Sequence, residues 1–336
     1  MSFEFWNLPF ILKHKTKNIM AVIETEGLSK DYRVGFTLKK IRALENLNLE
    51  VMEKEIFGFL GPNGAGKTTT LKILMGLIYP SSGKARIFDK DIRDISIKNE
   101  IGFLPEGPYF YDYLTGKEFL NFYGELFGIE KKRIKAKVDE LLETVGLTEA
   151  GKLQLRRYSK GMLQRIGIAQ TLINDPKLVI LDEPMSGLDP IGRKEIRDLI
   201  LQLKDMGKTV FFSSHILSDV EMICDRVAIL VGGRLIDVGS VNALLKEETG
   251  SVEICVSAIS RAALEKINTF KKKVIYRGER VYITVDSEEE KDEILKKIFE
   301  NKSEEKVRLI SIIPQKKSLE ALFFKEIKNK RQRGSD

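Results

Sequence analysis

Short, wholly apolar segments alternate with helical stretches from residue 21 to about residue 240. Residues 56–60, 101–104, 178–181 and 209–212 each form such a segment and are rich in aliphatic and aromatic side chains. Strands that are apolar on both sides of the backbone are typical of a sheet covered by helices on both faces. Their alternation with helical segments predicts an α/β domain.

Helical spacing dominates the middle of this domain, from about residue 107 to residue 168. Thr115 and Glu118 have the T-x-x-E spacing of a capping box at a helix start. Apolar side chains then recur at helical intervals up to Val145, and Gly146 is a residue type that commonly ends helices. We therefore predict a helical subdomain inserted into the α/β domain.

A smaller unit follows residue 240 and ends in a basic tail. Its predicted elements are a strand, a helix, a hairpin, a helix, a strand and a last helix, at 252–256, 261–270, 274–285, 287–302, 307–313 and 318–328. The order βαββαβ predicts a small α+β domain of the ferredoxin-like class. The predicted domains are thus an N-terminal extension, an α/β domain and an accessory domain, over residues 1–20, 21–240 and 241–336.

The N-terminal extension combines aromatic and aliphatic residues with basic residues that follow them. This order is the reverse of a secretory signal. Either translation begins at Met20, or the segment is a loose extension, or its aromatic residues lie at a membrane interface. No apolar segment in the chain approaches the roughly 20 residues that cross a bilayer. Another chain would have to supply any path through a membrane.

Composition agrees with an ordinary folded chain. Of the 336 residues, 43% are hydrophobic and 31% are charged. The net charge of +7 favours anionic partners such as nucleotides, nucleic acid or an anionic membrane surface, without choosing among them. Cys224 and Cys255 lack the spacing of a metal or redox site, and the two histidines, His14 and His215, exclude a histidine-rich metal cluster.

A glycine-rich loop between a predicted strand and a predicted helix matches the Walker A pattern G-x-x-x-x-G-K-[ST]. Its glycines let backbone N–H groups fold around phosphate oxygens, and the helix N-terminus adds a positive dipole end. Lys67 supplies a charge for the β- and γ-phosphates, and the Thr68 hydroxyl suits Mg²⁺. The predicted phosphate-binding residues are Gly61, Pro62, Asn63, Gly64, Ala65, Gly66, Lys67, Thr68 and Thr69.

Two acids end the strand at 178–181, as in a Walker B segment. Asp182 is placed to hold the water shell of Mg²⁺, and Glu183 is placed to take a proton from an attacking water. Together with the glycine-rich loop, this segment indicates a nucleotide triphosphatase. The two motifs leave a broad class of ATPases and GTPases.

The segment Y-S-K-G-M-L-Q-R at 158–165 narrows that class. It resembles the signature L-S-G-G-Q-x-Q-R of ATP-binding cassette (ABC) ATPases, with matches at Ser159, Gly161, Gln164 and Arg165. Further family-like residues are Ser186–Asp189 (the D-loop), His215 (the switch histidine) and Tyr32 (the adenine-stacking aromatic). Residues 21–240 thus resemble the ATPase subunits of ABC transporters, and the drug- and antibiotic-exporter branch in particular.

This resemblance implies a P-loop NTPase fold of the ABC type that binds ATP and Mg²⁺. It implies a dimer in which each ATP lies between the Walker A loop of one subunit and Ser159, Gly161 and Asp189 of the other. Catalysis would fall to Lys67, Glu183 and His215. The partner would be an integral-membrane permease reached from the cytoplasmic face of the cell membrane, and no nucleic acid is expected. An ABC ATPase that acts on a ribosome or soluble scaffold is the alternative.

Three positions depart from the family pattern. Glu106 stands where many relatives have the Q-loop glutamine, and we expect it to bind the metal with Thr68 and Asp182. Lys160 and Met162 replace a glycine and a glutamine of the signature. Lys160 would either help to hold a phosphate or face solvent.

Aromatic residues are concentrated between residues 107 and 128. They are Tyr109, Phe110, Tyr111, Tyr113, Phe119, Phe122, Tyr123 and Phe127. Such a segment either packs as the core of the helical subdomain or forms a groove that receives a short helix of the membrane subunit. Both interpretations can hold together.

Overall fold

The computed structural model describes residues 20–34, 39–246, 251–257, 273–285, 287–300 and 308–314. The N-terminal extension up to residue 19 and the helices predicted at 261–270 and 318–328 lie outside the described residues. Within them, no helix is long and apolar enough to span a membrane.

The described strands and helices are interspersed along the chain up to residue 246. The strands are β1 Ala21–Val34, β2 Lys39–Met52, β3 Ile56–Leu60, β4 Ser82–Ile87, β5 Lys90–Asp91, β6 Ile101–Leu104, β7 Leu178–Leu181, β8 Thr209–Ser214, β9 Arg226–Val231, β10 Arg234–Ser240, β11 Val252–Ser257, β12 Lys273–Arg277, β13 Arg280–Val285 and β14 Arg308–Pro314. The helices are α1 Lys67–Leu74, α2 Gly116–Leu126, α3 Lys131–Thr144, α4 Lys160–Thr171, α5 Pro190–Asp205, α6 Leu217–Ile223, α7 Val241–Lys246 and α8 Glu288–Glu300.

A six-stranded sheet in the order β10-β9-β3-β8-β7-β6 forms the centre of the α/β domain. All pairings are parallel except that of β10 with β9. Every residue of β3, β7 and β8 is buried, as the apolar segments predicted. The α/β fold class is therefore confirmed. Because β3, β8 and β7 are parallel neighbours, the loops that leave their carboxyl ends meet at one edge of the sheet.

A second, antiparallel sheet in the order β2-β1-β4-β5 was not anticipated. Strands β1 and β2 each span 14 residues and pair along most of their length. A signal for β2 does exist in the sequence, because Leu47, Leu49 and Val51 are buried while Asn48 and Glu50 between them are exposed. This period-two pattern predicts a half-buried strand.

Apolar packing joins the two sheets and α1. Phe57 of β3 stacks on Phe211 of β8 with ring centroids 5.7 Å apart, and Leu71 of α1 is buried in the same core. The other face of the central sheet packs against the helical subdomain and α5. Each large apolar side chain that is fully buried contributes about 1.5–3 kcal/mol to folding. The edge of the sheet that carries the loops after β3, β7 and β8 is therefore supported by packed cores on both faces.

Helices α2, α3 and α4 form the predicted helical subdomain. The capping box is confirmed, since the Thr115 hydroxyl accepts from the Glu118 amide and the Glu118 carboxylate accepts from the Thr115 amide at 2.8 Å. Gly146 has a φ of +65° just beyond the end of α3, as expected of a helix-ending glycine. Gly124 of α2 lets α3 approach, because a Cβ there would lie 3.2 Å from Ile134.

The aromatic segment divides between core and surface. Phe119 is buried, and Phe110 and Tyr123 pack against the same core. The exposed side chains form what we call the aromatic patch, which consists of Tyr109, Tyr111, Tyr113, Phe122, Leu126 and Phe127. Its rings contact one another, with centroids 5.5 Å apart for Tyr111 and Phe122. The structure thus confirms the core interpretation for the buried rings, and docking of a membrane-subunit helix on the exposed rings stays a prediction.

Strands β11–β14 form an antiparallel sheet in the order β12-β13-β11-β14. Ile294 and Ile298 of α8 are buried in the core of this unit. The order agrees with that of a ferredoxin-like fold, in which the first strand lies between the third and the fourth. The helix expected between β11 and β12 lies outside the described residues, so the ferredoxin-like assignment and the domain limits stay predictions.

Candidate functional site

The glycine-rich loop leaves β3 after Leu60 and leads directly into α1. Gly64 and Gly66 have φ values of +78° and +105°, a region that residues with a Cβ rarely adopt. A Cβ on Gly66 would also overlap the Ala43 carbonyl oxygen. The loop can therefore take this tight form only with glycine at these positions.

This loop borders a cavity of about 310 Å³. The lining residues are Ala43, Pro62, Asn63, Gly64, Ala65, Gly66, Lys67, Thr68, Thr69, Glu106 and Glu183. The cavity thus brings the predicted phosphate-binding residues from Pro62 to Thr69 together with two predicted acids. Gly61 does not line the cavity, and a Cβ at this position would lie 2.5 Å from the Leu230 carbonyl oxygen.

Lys67 is buried at the first position of α1. Its ammonium donates to the carbonyl oxygens of Gly61 at 2.6 Å and Pro62 at 3.3 Å. It also lies 3.1 Å from Glu183 Oε1. A phosphate group in the cavity would therefore compete with the Glu183 carboxylate for this ammonium.

Glu183 is held in an unusual conformation just beyond β7. Its φ is +51°, and such a conformation costs an L-residue about 1–2 kcal/mol. Its amide donates to the Ser213 hydroxyl at 2.9 Å, and its Oε2 lies 2.8 Å from His215 Nδ1. Non-glycine residues in strained conformations are concentrated at functional sites. The carboxylate is thus positioned by Lys67 at the start of α1, by His215 after β8 and by the conformation of its own backbone.

Asp182 is buried next to Glu183. The Ser213 hydroxyl donates to Asp182 Oδ1 at 2.6 Å, and the Thr68 hydroxyl also forms a hydrogen bond with this carboxylate. Burial raises the pKa of Asp182, while the hydrogen bonds from Ser213 and Thr68 partly oppose this shift. A buried carboxylate of raised pKa is stabilised in its charged form when a cation comes close.

The oxygen atoms of Thr68, Asp182 and Glu106 suit a magnesium ion, which prefers hard oxygen ligands. The described residues contain no group of three His, Cys, Asp or Glu side chains that could enclose a metal. Mg²⁺ commonly binds through one or two protein groups together with water and substrate phosphates. The donor set therefore fits an ion that enters with a nucleotide rather than a resident metal.

Sequence reasoning missed Ser213, which joins Asp182 to Glu183. Its sequence signal was weak, because a single serine near the end of a buried strand usually marks only the place where the strand ends. Its importance follows from the parallel pairing of β7 with β8, which places Ser213 beside the two acids.

Seven predicted residues do not line the cavity. Three of them contact residues that do, namely Gly61, Asp182 and His215. The other four lie apart from it. Ser159 caps α4, where its hydroxyl accepts from the Met162 amide at 3.2 Å, and Gly161 lies in the first turn of that helix. Asp189 caps α5 and accepts from the Gly192 amide at 2.8 Å. Tyr32 lies half-exposed on β1 with the Lys30 ammonium 5.3 Å from its ring centroid. Their contact with a nucleotide stays a prediction.

Comparison with known proteins agrees with this geometry. Residues 44–186 match the family model described as ABC transporter. The chain is 51% identical over 248 residues to an ABC transporter ATP-binding protein of Synechocystis, covering 73% of this chain and 70% of the relative. It is 41% identical over 246 residues to the bacitracin transport ATP-binding protein BcrA of Bacillus licheniformis, covering 72% of this chain and 78% of the relative.

Solved structures show the same fold. CbiO1 of Clostridium perfringens, part of the ABC transporter complex cbiONQ, superposes with a TM-score of 0.61 at 28% identity and covers 68% of this chain and 91% of its own. The ATP-binding cassette MJ0796, in a dimeric post-hydrolysis state bound to ADP and phosphate, has a TM-score of 0.59 at 25% identity. That alignment covers 65% of this chain and 98% of the other.

Proposed function

The chain belongs to the family of ABC transporter ATP-binding proteins, and from that premise we propose that it powers a separate membrane permease that exports its cargo. The chain is an ATP-binding subunit and an ATP hydrolase. One observation carries the assignment of roles: Lys67, Glu183 and His215 meet at the carboxyl edge of the central sheet. The proposed ATP-binding domain covers residues 21–240, and residues 241–336 form an accessory domain.

The residues of the cavity divide the work of hydrolysis. Backbone N–H groups of the loop between Asn63 and Thr69 bind the phosphates of ATP, and Lys67 places its charge against the β- and γ-phosphates. Glu183 accepts a proton from the attacking water, and His215 contacts the γ-phosphate. Thr68, Asp182 and Glu106 would hold Mg²⁺, which neutralises phosphate charge when it is bound.

The contacts of Glu183 suggest how ATP binding prepares this residue to act as the general base. Lys67 and His215 hold both carboxylate oxygens, at 3.1 and 2.8 Å. A γ-phosphate carries more negative charge than one carboxylate and so draws both groups toward itself. The Glu183 carboxylate is then free to take a proton from water only when the triphosphate is in place.

Dimer formation would complete the site. Ser159, Gly161 and Asp189 lie outside the cavity of their own subunit, and Gly161 has open space where a Cβ would lie. These residues would meet the ATP held by the second subunit, which is the chain itself or a related ATPase. The dimeric structure of MJ0796 supports this arrangement.

The aromatic patch is the proposed docking surface for the permease at the cytoplasmic face of the membrane. Exposed apolar patches of this kind mark interaction sites. An amphipathic helix that packs its apolar face against an apolar surface of its partner is a common mode of recognition. The relatives named for bacitracin transport favour an exporter.

Purification of the tagged chain from gently solubilised native cells tests this function. A polytopic membrane protein at matching stoichiometry is the expected result. A ribosome or soluble scaffold in place of a membrane protein would overturn the proposal. The same preparation from a Lys67→Ala strain shows whether the complex depends on ATP binding.

A further inference from the structure

A mostly buried ion pair joins two helices that follow loops of the ATP site. Arg197 of α5 donates from Nη1 to Asp219 Oδ1 of α6 at 2.5 Å. The Asp219 side chain is 3% exposed and the Arg197 side chain 19%. Helix α5 follows the turn Ser186–Asp189, and α6 follows His215. The pair therefore connects the helix after the D-loop with the helix after the switch histidine.

Helix α5 is the firmly held member of these two helices. It spans 16 residues, and Asp189 caps its start by accepting from the Gly192 amide at 2.8 Å. One turn before Arg197, Arg193 Nε donates to the Leu188 carbonyl oxygen at 3.2 Å. The core-facing side of α5 carries buried apolar side chains, namely Ile196, Leu199, Ile200 and Leu203. Arg197 thus extends from a helix whose position is fixed at several points.

Helix α6 has fewer contacts that fix its position. It spans 7 residues, and its N-cap residue Ile216 makes no side-chain cap bond. A helix this short is not stable on its own, so its contacts with the rest of the protein decide where it begins. Val220 and Ile223 pack into the core, and Asp219 forms the ion pair. Only Ile216 separates α6 from His215, so a shift of the helix start displaces the His215 ring.

Stability by itself gives little reason for this ion pair. Asp219 Oδ2 is buried and has no hydrogen-bond partner among the described residues. A buried polar atom without a partner costs free energy, and buried ion pairs often stabilise a fold no better than apolar side chains of similar size. The pair does supply direction, because a hydrogen bond between charged groups is favourable only in a narrow range of geometries. It therefore specifies where α6 lies relative to α5.

We propose that Arg197 and Asp219 are a positioning pair, which sets the start of α6 and thereby holds His215 in place beside Glu183. The inference rests on the proposed function, in which His215 contacts the γ-phosphate. Neither member of the pair lines the ATP cavity. Loss of the pair should therefore slow hydrolysis and leave ATP binding intact.

The first experiment measures steady-state hydrolysis and ATP binding by the full chain. Asp219→Asn and Arg197→Gln should each lower kcat roughly three- to tenfold, because small displacements of catalytic groups are enough to slow a reaction. Affinity for ATP, measured by calorimetry, should not change. Arg197→Lys keeps the charge and should restore most of kcat.

Unchanged kcat in both single variants would overturn the inference. A loss of kcat in Asp219→Asn alone would also overturn it, because an acid in the first turn of a helix is favourable without any partner. Asp139→Asn is the matched control and should keep the wild-type kcat. The Lys117 ammonium lies 2.5 Å from Asp139 Oδ1, and this ion pair joins α2 and α3 away from the cavity.

The second experiment observes the His215 ring directly. The chain contains two histidines, His14 and His215, so in NMR spectra of histidine-labelled protein the signal missing from His215→Ala belongs to His215. Asp219→Asn and Arg197→Gln should both shift this signal, and Asp139→Asn should not. A His215 signal that is the same in the wild type and in Arg197→Gln would overturn the positioning role.

A third variant separates position from stability. Arg197→Met combined with Asp219→Leu replaces the two charges by apolar side chains, which often restores stability. Its unfolding midpoint should lie above that of Arg197→Gln, but its kcat should stay lowered because apolar contact is not directional. A wild-type kcat in this double variant would show that the pair contributes only packing. The variant also tests the inference if Arg197→Gln does not fold.

His215→Ala distinguishes failure of this inference from failure of the proposed function. If His215→Ala hydrolyses ATP at the wild-type rate, the role of His215 in the proposed function fails. If His215→Ala is slow while Arg197→Gln hydrolyses ATP at the wild-type rate, the inference about the ion pair fails alone.

Discussion

Glu183 and Asp182 are adjacent in sequence, yet their surroundings prepare them for different tasks. Glu183 has a left-handed φ, which turns its carboxylate toward the Lys67 ammonium and the His215 ring. The Asp182 amide donates to the Leu104 carbonyl oxygen at 2.8 Å, and its carboxylate meets the hydroxyls of Ser213 and Thr68. One acid therefore faces an ammonium and an imidazole ring beside the proposed phosphate position, and the other faces hydroxyl groups beside the proposed cation position.

Replacement of Glu183 by glutamine should keep ATP binding and remove the proton acceptor. We expect steady-state hydrolysis to fall by about 10²-fold or more, which is the size of effect that general bases commonly contribute. The protein should then remain as an ATP-held dimer in size-exclusion chromatography. Glu149→Gln is the matched control, because Glu149 is exposed and lies outside the motifs that form the site. Turnover at the wild-type rate would show that another group accepts the proton.

Replacement of Asp182 by asparagine should lower ATP hydrolysis and raise the stability of the nucleotide-free protein. Because burial raises the pKa of Asp182, the folded state binds its proton more tightly than the unfolded state does. Stability is therefore lost as the pH rises from the ordinary carboxyl range through the raised pKa, and an ionised Asp182 destabilises the nucleotide-free protein at neutral pH.

Thermal unfolding at neutral pH without nucleotide or metal should thus show a higher midpoint for Asp182→Asn than for the wild type. The difference should shrink as the pH is lowered toward the ordinary range of a carboxyl group. Asp198→Asn, an exposed position on α5, should leave the midpoint unchanged. A lower midpoint for Asp182→Asn would mean that the hydrogen bonds from Ser213 and Thr68 outweigh the cost of burial.

At the scale of single elements, residues that cap helices also carry proposed binding functions. Ser159 and Asp189 cap α4 and α5, and the same two residues are the ones proposed to face the ATP of the second subunit. Thr115 caps α2, which carries part of the aromatic patch. Each cap fixes where its helix begins and therefore where the adjacent surface lies.

Loss of the α2 cap should weaken folding without affecting the ATP site. Thr115→Ala is expected to lower the free energy of unfolding by about 1 kcal/mol. The amide and hydroxyl of Thr115 lower the pKa of Glu118. Thr115→Ala keeps the amide bond and removes the hydroxyl bond, so only the hydroxyl part of the loss depends on pH. That part is present above the ordinary carboxyl range and disappears as the pH falls through the lowered pKa.

Urea unfolding at neutral and acidic pH measures this effect, and the loss should be smaller at acidic pH. Thr148→Ala is the matched control, because Thr148 precedes a short helical turn without a side-chain cap bond. An equal loss of unfolding free energy in both variants would show that the capping box at Thr115 adds no stability.

At the scale of the whole molecule, the ATP cavity and the aromatic patch occupy different parts of the α/β domain. The cavity lies at the carboxyl edge of the central sheet, and the patch lies on the helical subdomain. Glu106, which follows β6, lines the cavity in the segment that leads to Tyr109. A short segment of chain therefore connects the two surfaces.

Removal of a patch residue should uncouple the permease from an intact ATPase. Tyr109 has 85% of its surface exposed, so Tyr109→Ser should cost little stability. We expect less membrane protein to co-purify with this variant, while its affinity for ATP stays unchanged. Tyr79→Ser, at an exposed tyrosine outside the patch, is the matched control. Equal recovery of the membrane protein with both variants would place the docking surface elsewhere.

Sequence by itself determined the features that depend on neighbouring residues. The phosphate loop was predictable, because left-handed backbone at Gly64 and Gly66 requires glycine and the lysine follows directly. Buried strands, the capping box and the helical subdomain were predictable for the same reason. Their signals lie within one turn, one strand or one helical period.

Tertiary structure alone decided which distant residues meet. Parallel pairing of β3, β8 and β7 brings Lys67, His215 and Glu183 together and makes Ser213 a link between two acids. The pairing of β1 with β2 and β4 also depends on how elements pack. Local periodicity specifies what each segment becomes, whereas distances between segments follow from sheet order and core packing, which no short window of sequence contains.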